Sequence, residues 1–293
     1  NVSKFVNNLI TISKLVPLAL FIAIGIFFIN GANFTPVFPQ NIYVDGSFAQ
    51  AAVLLFFAYT GFEVIAIAAE DMKNPKKNLP RAIIMCMLLV SVLYMAILAV
   101  SIGVLGTDLA NTKAPVQDAF NVIVGPIGMY IVLVGTLISM GGINFAEAYY
   151  APRVATSMAE DGMLPSALAK RNRYNAPYIA AIVTAIASVL LAWSGSFTTL
   201  AAISAVSRFT QYLPTCLAVI IFRRKWADKA RSYTIPGGYL IPIIAIGTSL
   251  WMLAQAQTNQ LLWGLGGCIV ILPFYYSYWK KKKAGLIKDN DEM

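Results

Sequence analysis

Long apolar runs alternate with short polar, basic connections along the whole chain. A helix needs about 17 to 25 mainly apolar residues to cross a bilayer's hydrocarbon core, and runs of that length recur. Eight can be drawn, at 9–29, 47–69, 82–106, 127–150, 178–196, 199–222, 239–257 and 261–279. The connections carry their own punctuation. Asn74-Pro75 and Leu79-Pro80-Arg81 end one helix and start the next, because proline is tolerated at a first helical position. The stretch "APRVATSMAEDGMLP" at 151–165 predicts a separate short polar helix, stopped by Gly162 and Pro165. The expectation is an all-α polytopic membrane protein, one transmembrane domain over 1–293 with a polar tail at 280–293.

Composition strengthens that expectation. The 293 residues are 58% hydrophobic and 12% charged, and a soluble surface needs far more charge. The net charge of +9 would invite nucleic acid in a soluble protein. Here its placement points elsewhere. The segments before the first run and after the second, fourth, sixth and eighth hold Lys4, then Lys73, Lys76, Lys77 and Arg81. They continue with Arg153, Lys170, Arg171 and Arg173, five basic residues between Arg223 and Arg231, and finally Lys280, Lys281, Lys282, Lys283 and Lys288. The alternate connections hold only Lys113. Basic residues concentrate on the cytoplasmic side of membrane proteins, so both ends are expected there, in the cytoplasmic membrane. The bilayer is the expected partner, and nucleic acid is not.

Cys86, Cys216 and Cys268 all lie inside apolar runs, as packing residues and not as a disulfide or metal framework. Histidine is absent, which removes the commonest general base and metal ligand. No nucleotide loop or nucleophile–base arrangement is present, and no metal or cofactor is expected. These absences argue against a membrane-embedded enzyme. Gly141-Gly142 and Gly264 to Gly267 lack the strand-to-helix context of a phosphate loop and read as helix-packing sites. The chain begins at Asn1 and not at methionine, which points to a beginning that is missing or was removed.

Four charges fall inside the runs: Lys14, Glu63, Glu147 and Arg208. A charge at mid-bilayer costs roughly 2.5–3.5 kcal/mol on insertion scales, so each needs a reason. Lys14 and Glu147 stand near the ends of their runs, where a long side chain reaches the interface. Glu63 and Arg208 lie deeper and face either a wet cavity or each other. Just before Glu63 comes Tyr59-Thr60-Gly61. Glycine loses little by leaving helical geometry, and threonine hydrogen-bonds freed backbone groups. A helix broken there exposes N–H and carbonyl groups that suit a zwitterion. A glycine that only lets helices pack closely, with Glu63 paired internally, fits the same residues.

Three extended stretches, "FFAYTGFEVIAIAAEDMKNP…NLPRAI", "APRVATSMAEDGMLP…NAPYIA" and "SRFTQYLPTCLAVIIFRRK", resemble bacterial amino acid permeases of the amino acid–polyamine–organocation family. The resemblance covers nearly the whole chain, in the same order. It implies a partial inverted-repeat (LeuT-like) transporter fold with eight transmembrane helices. In that frame 9–29 is the last helix of the first repeat, 47–222 the second inverted repeat, and 239–279 two additional helices. The family's first four helices are absent from this sequence, so they are expected from the same or another chain.

The implied function is secondary active transport of amino acids by alternating access, proton-coupled or by exchange. An inactive fragment or subunit that needs a partner is the alternative. Residue by residue, Phe57 matches an aromatic gate, and Ala58, Tyr59, Thr60 and Gly61 match the unwound stretch that contacts the substrate's main-chain groups. Lys14 matches a fifth-helix lysine whose ammonium replaces a sodium ion, and Glu63 a sixth-helix carboxylate implicated in coupling. Protons are therefore the expected coupling partner. Arg208, Asn144 and Glu147 are further candidates for the pathway.

Overall fold

A computed structural model describes residues 2–35, 47–63, 65, 72–228, 231, 233, 234 and 236–283. Among them there is no β-strand, and the regular structure is helical. The helices are α1 (Val2–Gly25), α2 (Ser47–Ala58), α3 (Pro75–Leu105), α4 (Pro115–Val124), α5 (Pro126–Glu160), α6 (Tyr178–Ser194), α7 (Phe197–Lys225), α8 (Leu240–Gln255) and α9 (Thr258–Lys283). Five segments are long and apolar enough to cross a membrane: Leu9–Phe28, Pro75–Asn111, Pro126–Glu160, Phe197–Lys225 and Thr258–Lys280. The other three expected spans contain shorter apolar helices, α2, α6 and α8, of 12, 17 and 16 residues. Large apolar side chains cover the outside; Phe27 and Trp193 are each 85% exposed. Water would not tolerate that surface, whereas lipid does.

The chain forms two compact units. The first comprises Asn1–Tyr43 with Ile84–Tyr150, and the second Val44–Ile83 with Ala151–Met293. In the first, α1 packs against α4 around Phe21, Val100, Ala119, Phe120, Ile123 and Val132, with Phe21 and Phe120 meeting edge to face at 5.6 Å. Helix α4 lies in a connection where the sequence predicted no helix. Its limits are nonetheless written locally: Pro115 occupies the start, Asp118 accepts from the Thr112 hydroxyl, and Gly125 leaves at φ 75°. In the second unit α7 is the hub. It packs against α2, α8 and α9 around Val53, Ala202, Ala205, Phe209 and Met252.

Several boundaries differ from expectation. The helix in 47–69 ends at Ala58, while residues 64 and 66–69 lie outside the described residues. Helix α3 starts at Pro75 and runs through Pro80. The stretch 151–160 is not a separate helix but the continuation of α5, a single helix of 35 residues. Pro152 is accommodated inside it, and the Thr156 hydroxyl donates to the Pro152 carbonyl at 2.8 Å. The stop falls at Gly162, where φ is 78° and the Met163 and Leu164 N–H groups both donate to the Met158 carbonyl. Of the glycines read as packing sites, Gly142 lies against Ile10 and Gly264 against Val206, while Gly141, Gly266 and Gly267 face open space. The tail beyond Lys283 lies outside the described residues.

Candidate functional site

The site grows from the end of α2. After Ala58 the chain turns through Tyr59, Thr60 and Gly61, and residues 62 and 63 are wound as 3-10 helix. The groups freed by the break are held locally. The Phe57 carbonyl accepts from the Thr60 N–H at 3.0 Å and from the Thr60 hydroxyl at 2.7 Å. The Gly61 N–H donates to Glu63 Oε2 at 2.6 Å. Gly61 has φ 106°, a backbone geometry that side-chain-bearing residues rarely adopt. The break at this position therefore depends on glycine.

Helix α7 completes the cluster. Arg208 and Tyr212 are four residues apart on one face of it. Arg208 Nη1 stands 3.6 Å from Glu63 Oε1, and the Tyr212 hydroxyl donates to the same oxygen. One carboxylate thus gathers a guanidinium, a phenol and a backbone N–H. Its side chain is 11% exposed against 38% for Arg208, so the pair opens mainly on the arginine side. Aromatic rings surround it. Phe62 stacks on Tyr212 at 5.9 Å, and Phe56 stacks on Phe209 at 4.8 Å while meeting Tyr212 edge-on. Phe57 meets Phe197 edge-on at 6.1 Å. Phe62 and Phe56 pack on the ring of Tyr212 and so help hold its hydroxyl against Glu63.

The remaining candidates sit elsewhere. Lys14 is exposed on α1, in the first unit, and lines a cavity of about 130 Å³ with Pro17, Leu18, Val132, Gly135, Thr136, Ser139 and Met140. No carboxylate pairs with it among the described residues. Asn144 and Glu147 are exposed on α5 in the same unit. Phe56, Phe62, Phe209 and Tyr212 were not singled out from the sequence. The available signal was the spacing of Tyr212 from Arg208, which places a polar aromatic beside a deep charge.

The architecture and this cluster define an integral membrane protein with an interrupted helix and charged groups held beside the interruption. Sequence comparison supplies the family. The amino acid permease family profile matches residues 1–274, and the chain belongs to that family. It is 29% identical over 286 residues to the branched-chain amino acid permease BcaP of Bacillus subtilis, covering 95% of this chain and 60% of the relative. It is 30% identical over 280 residues to the methylthioribose transporter of the same organism, covering 94% and 59%. The serine/threonine exchanger SteT, also of Bacillus subtilis, matches at 30% over 288 residues, covering 96% and 65%. The chain thus spans about three fifths of the length of these relatives.

Proposed function

We propose that this chain forms the substrate-binding and coupling part of a secondary active amino acid transporter in the cytoplasmic membrane, with both ends of the segment in the cytoplasm. The observation that carries the proposal is the break after Ala58, where the Gly61 N–H already holds a carboxylate, that of Glu63. A substrate amino acid brings a group of the same kind. Phe57 closes over the substrate, and residues 58–61 offer backbone groups to its carboxylate and ammonium. Glu63 and Lys14 carry coupling, by protons or by exchange, and Arg208, Asn144 and Glu147 line the pathway. The fold is the partial inverted-repeat (LeuT-like) arrangement of eight transmembrane helices. The shorter α2, α6 and α8 count as spans in that scheme, and the remaining helices come from the same or another chain. The names of two of the relatives, a branched-chain amino acid permease and a serine/threonine exchanger, fit amino acid transport, and the third is a methylthioribose transporter.

The test is uptake of radiolabelled amino acids into proteoliposomes with an imposed pH gradient. Glu63→Gln keeps membrane insertion but loses the proton dependence, and Lys14→Ala changes the pH profile or uncouples transport. Kinetics identical to wild type across pH in both variants would remove coupling from these residues. Absence of uptake by the natural full-length protein for every amino acid tried would remove the transport reading itself.

A further inference from the structure

Away from the break, the second unit carries a basic cavity that the transport reading does not use. Lys76, Lys77 and Arg81 line a hollow of about 510 Å³ together with Tyr233. Lys76 and Lys77 lie in the first turn of α3, and Arg81 follows a turn later, just before the apolar run 82–106 begins. Among the described residues no carboxylate pairs with any of the three. Three cations converge on one space, and without a carboxylate among the described residues to offset them they favour an anion.

Tyr233 also lines a second cavity, of about 380 Å³, with Val219, Phe222, Arg223, Trp226, Arg231 and Thr234. Its wall is built differently. Phe222 and Trp226 stack at 4.7 Å, and Val219 extends the apolar side. Arg231 donates to the Trp226 carbonyl at 3.1 Å, so its guanidinium is spent on capping α7. The Arg223 guanidinium lies over the Tyr239 ring at 5.9 Å. Exposed Trp226, Tyr233 and Tyr239 form an aromatic group of the kind found at the level of lipid headgroups. A cationic seat and an aromatic, apolar slot therefore meet at one tyrosine.

We propose that this pair of cavities binds an anionic phospholipid. The phosphate sits among Lys76, Lys77 and Arg81, and the glycerol and upper acyl chain lie against Tyr233, Trp226, Phe222 and Val219. Lysine meets phosphate as a compact point charge and arginine by paired N–H donors. Basic pockets at the membrane interface hold lipid headgroups by the same chemistry. The adjoining apolar slot favours a lipid over a soluble phosphate, which has nothing to place there. The site goes beyond the transport reading and does not depend on it.

The experiment is native mass spectrometry of the protein purified from membranes in detergent, titrated with phosphatidylglycerol and, separately, phosphatidylcholine. Phosphatidylglycerol is expected to be retained preferentially, and K76Q/K77Q/R81Q to weaken its binding by about 100-fold. K170Q/R171Q/R173Q removes the same charge elsewhere and is expected to bind as wild type. Equal loss in that control would reduce the effect to bulk charge and overturn the site. Unchanged binding in K76Q/K77Q/R81Q overturns it too, and so does displacement of the lipid by millimolar inorganic phosphate, which would mark a soluble-anion site. If the glutamine variant does not purify as monodisperse protein, two others decide. K76R/K77R/R81K is expected to keep binding, and Tyr233→Ala to lose roughly tenfold by removing the ring that both cavities share. Wild-type binding by Tyr233→Ala would overturn the proposal.

Discussion

The two units bury different things. In the first, Phe21, Val100, Ala119, Phe120, Ile123 and Val132 close on one another without a charge among them. In the second, an apolar cluster around Phe209 lies next to a carboxylate, a guanidinium and a phenol joined at Glu63. In lipid the first kind of contact is held by packing, because apolar side chains gain little by leaving a solvent that is itself apolar. The second kind costs free energy to bury unless every partner is satisfied, so its presence asks for a purpose that packing cannot supply. An apolar cluster beside a continuous helix maintains shape. A charged cluster beside a broken one is where the proposed function places the substrate and its coupling.

Mutation separates the two most clearly at Phe120. Replacing this ring, 1% exposed, with alanine is expected to destabilise the protein by about 3 kcal/mol. Uptake per folded molecule should stay close to wild type. Thermal unfolding in detergent and uptake in proteoliposomes measure the two, and a large loss of turnover with normal stability would break the comparison. Glu63→Gln is expected to do the reverse. Proton-driven uptake should fall by about 10- to 100-fold, the range for a group that transfers or positions a proton. Stability should change by less than about 1 kcal/mol, since the amide of glutamine still accepts from Tyr212 and leaves the partly exposed Arg208 in place.

Tyr212→Phe keeps the rings that stack on Phe62 and Phe56 and removes one donor to Glu63. The expected effect is about 1 kcal/mol, seen as a few-fold shift in transport with unchanged unfolding. An equal loss of stability would make Tyr212 a packing residue. The smallest effect belongs to Arg171→Ala. Its 2.9 Å bond to Glu160 joins side chains that are 41% and 48% exposed, and both unfolding and uptake should stay within about 0.5 kcal/mol of wild type. A larger change would show that exposed ion pairs matter here as much as the half-buried one.

The helical class was legible because long, nearly uncharged runs cannot form a soluble surface. Helix ends were less so. Pro80 looked like a boundary and lies inside α3, and 151–160 looked like a separate helix and continues α5 through Pro152. Helix α4 has ten residues, too few to cross a bilayer, so a run of membrane-spanning length does not mark it. At Tyr59-Thr60-Gly61 the residues suited either a break or a close-packing glycine, and the structure shows the break. What completes the cluster was not legible, since Tyr212 stands 149 residues from Glu63 and no local pattern links them.

The sequence by itself determined the solvent, the helical class and the family resemblance, all properties of composition or of short stretches of adjacent residues. Only the tertiary structure decided which charges meet. Glu63 and Arg208 each read as costly on their own, with a wet cavity or mutual pairing both open. Packing of α2 on α7 brings them to 3.6 Å. The same packing adds Tyr212. Periodicity fixes which face of a helix a residue lies on, but the neighbour that face meets depends on contacts between segments far apart in the chain.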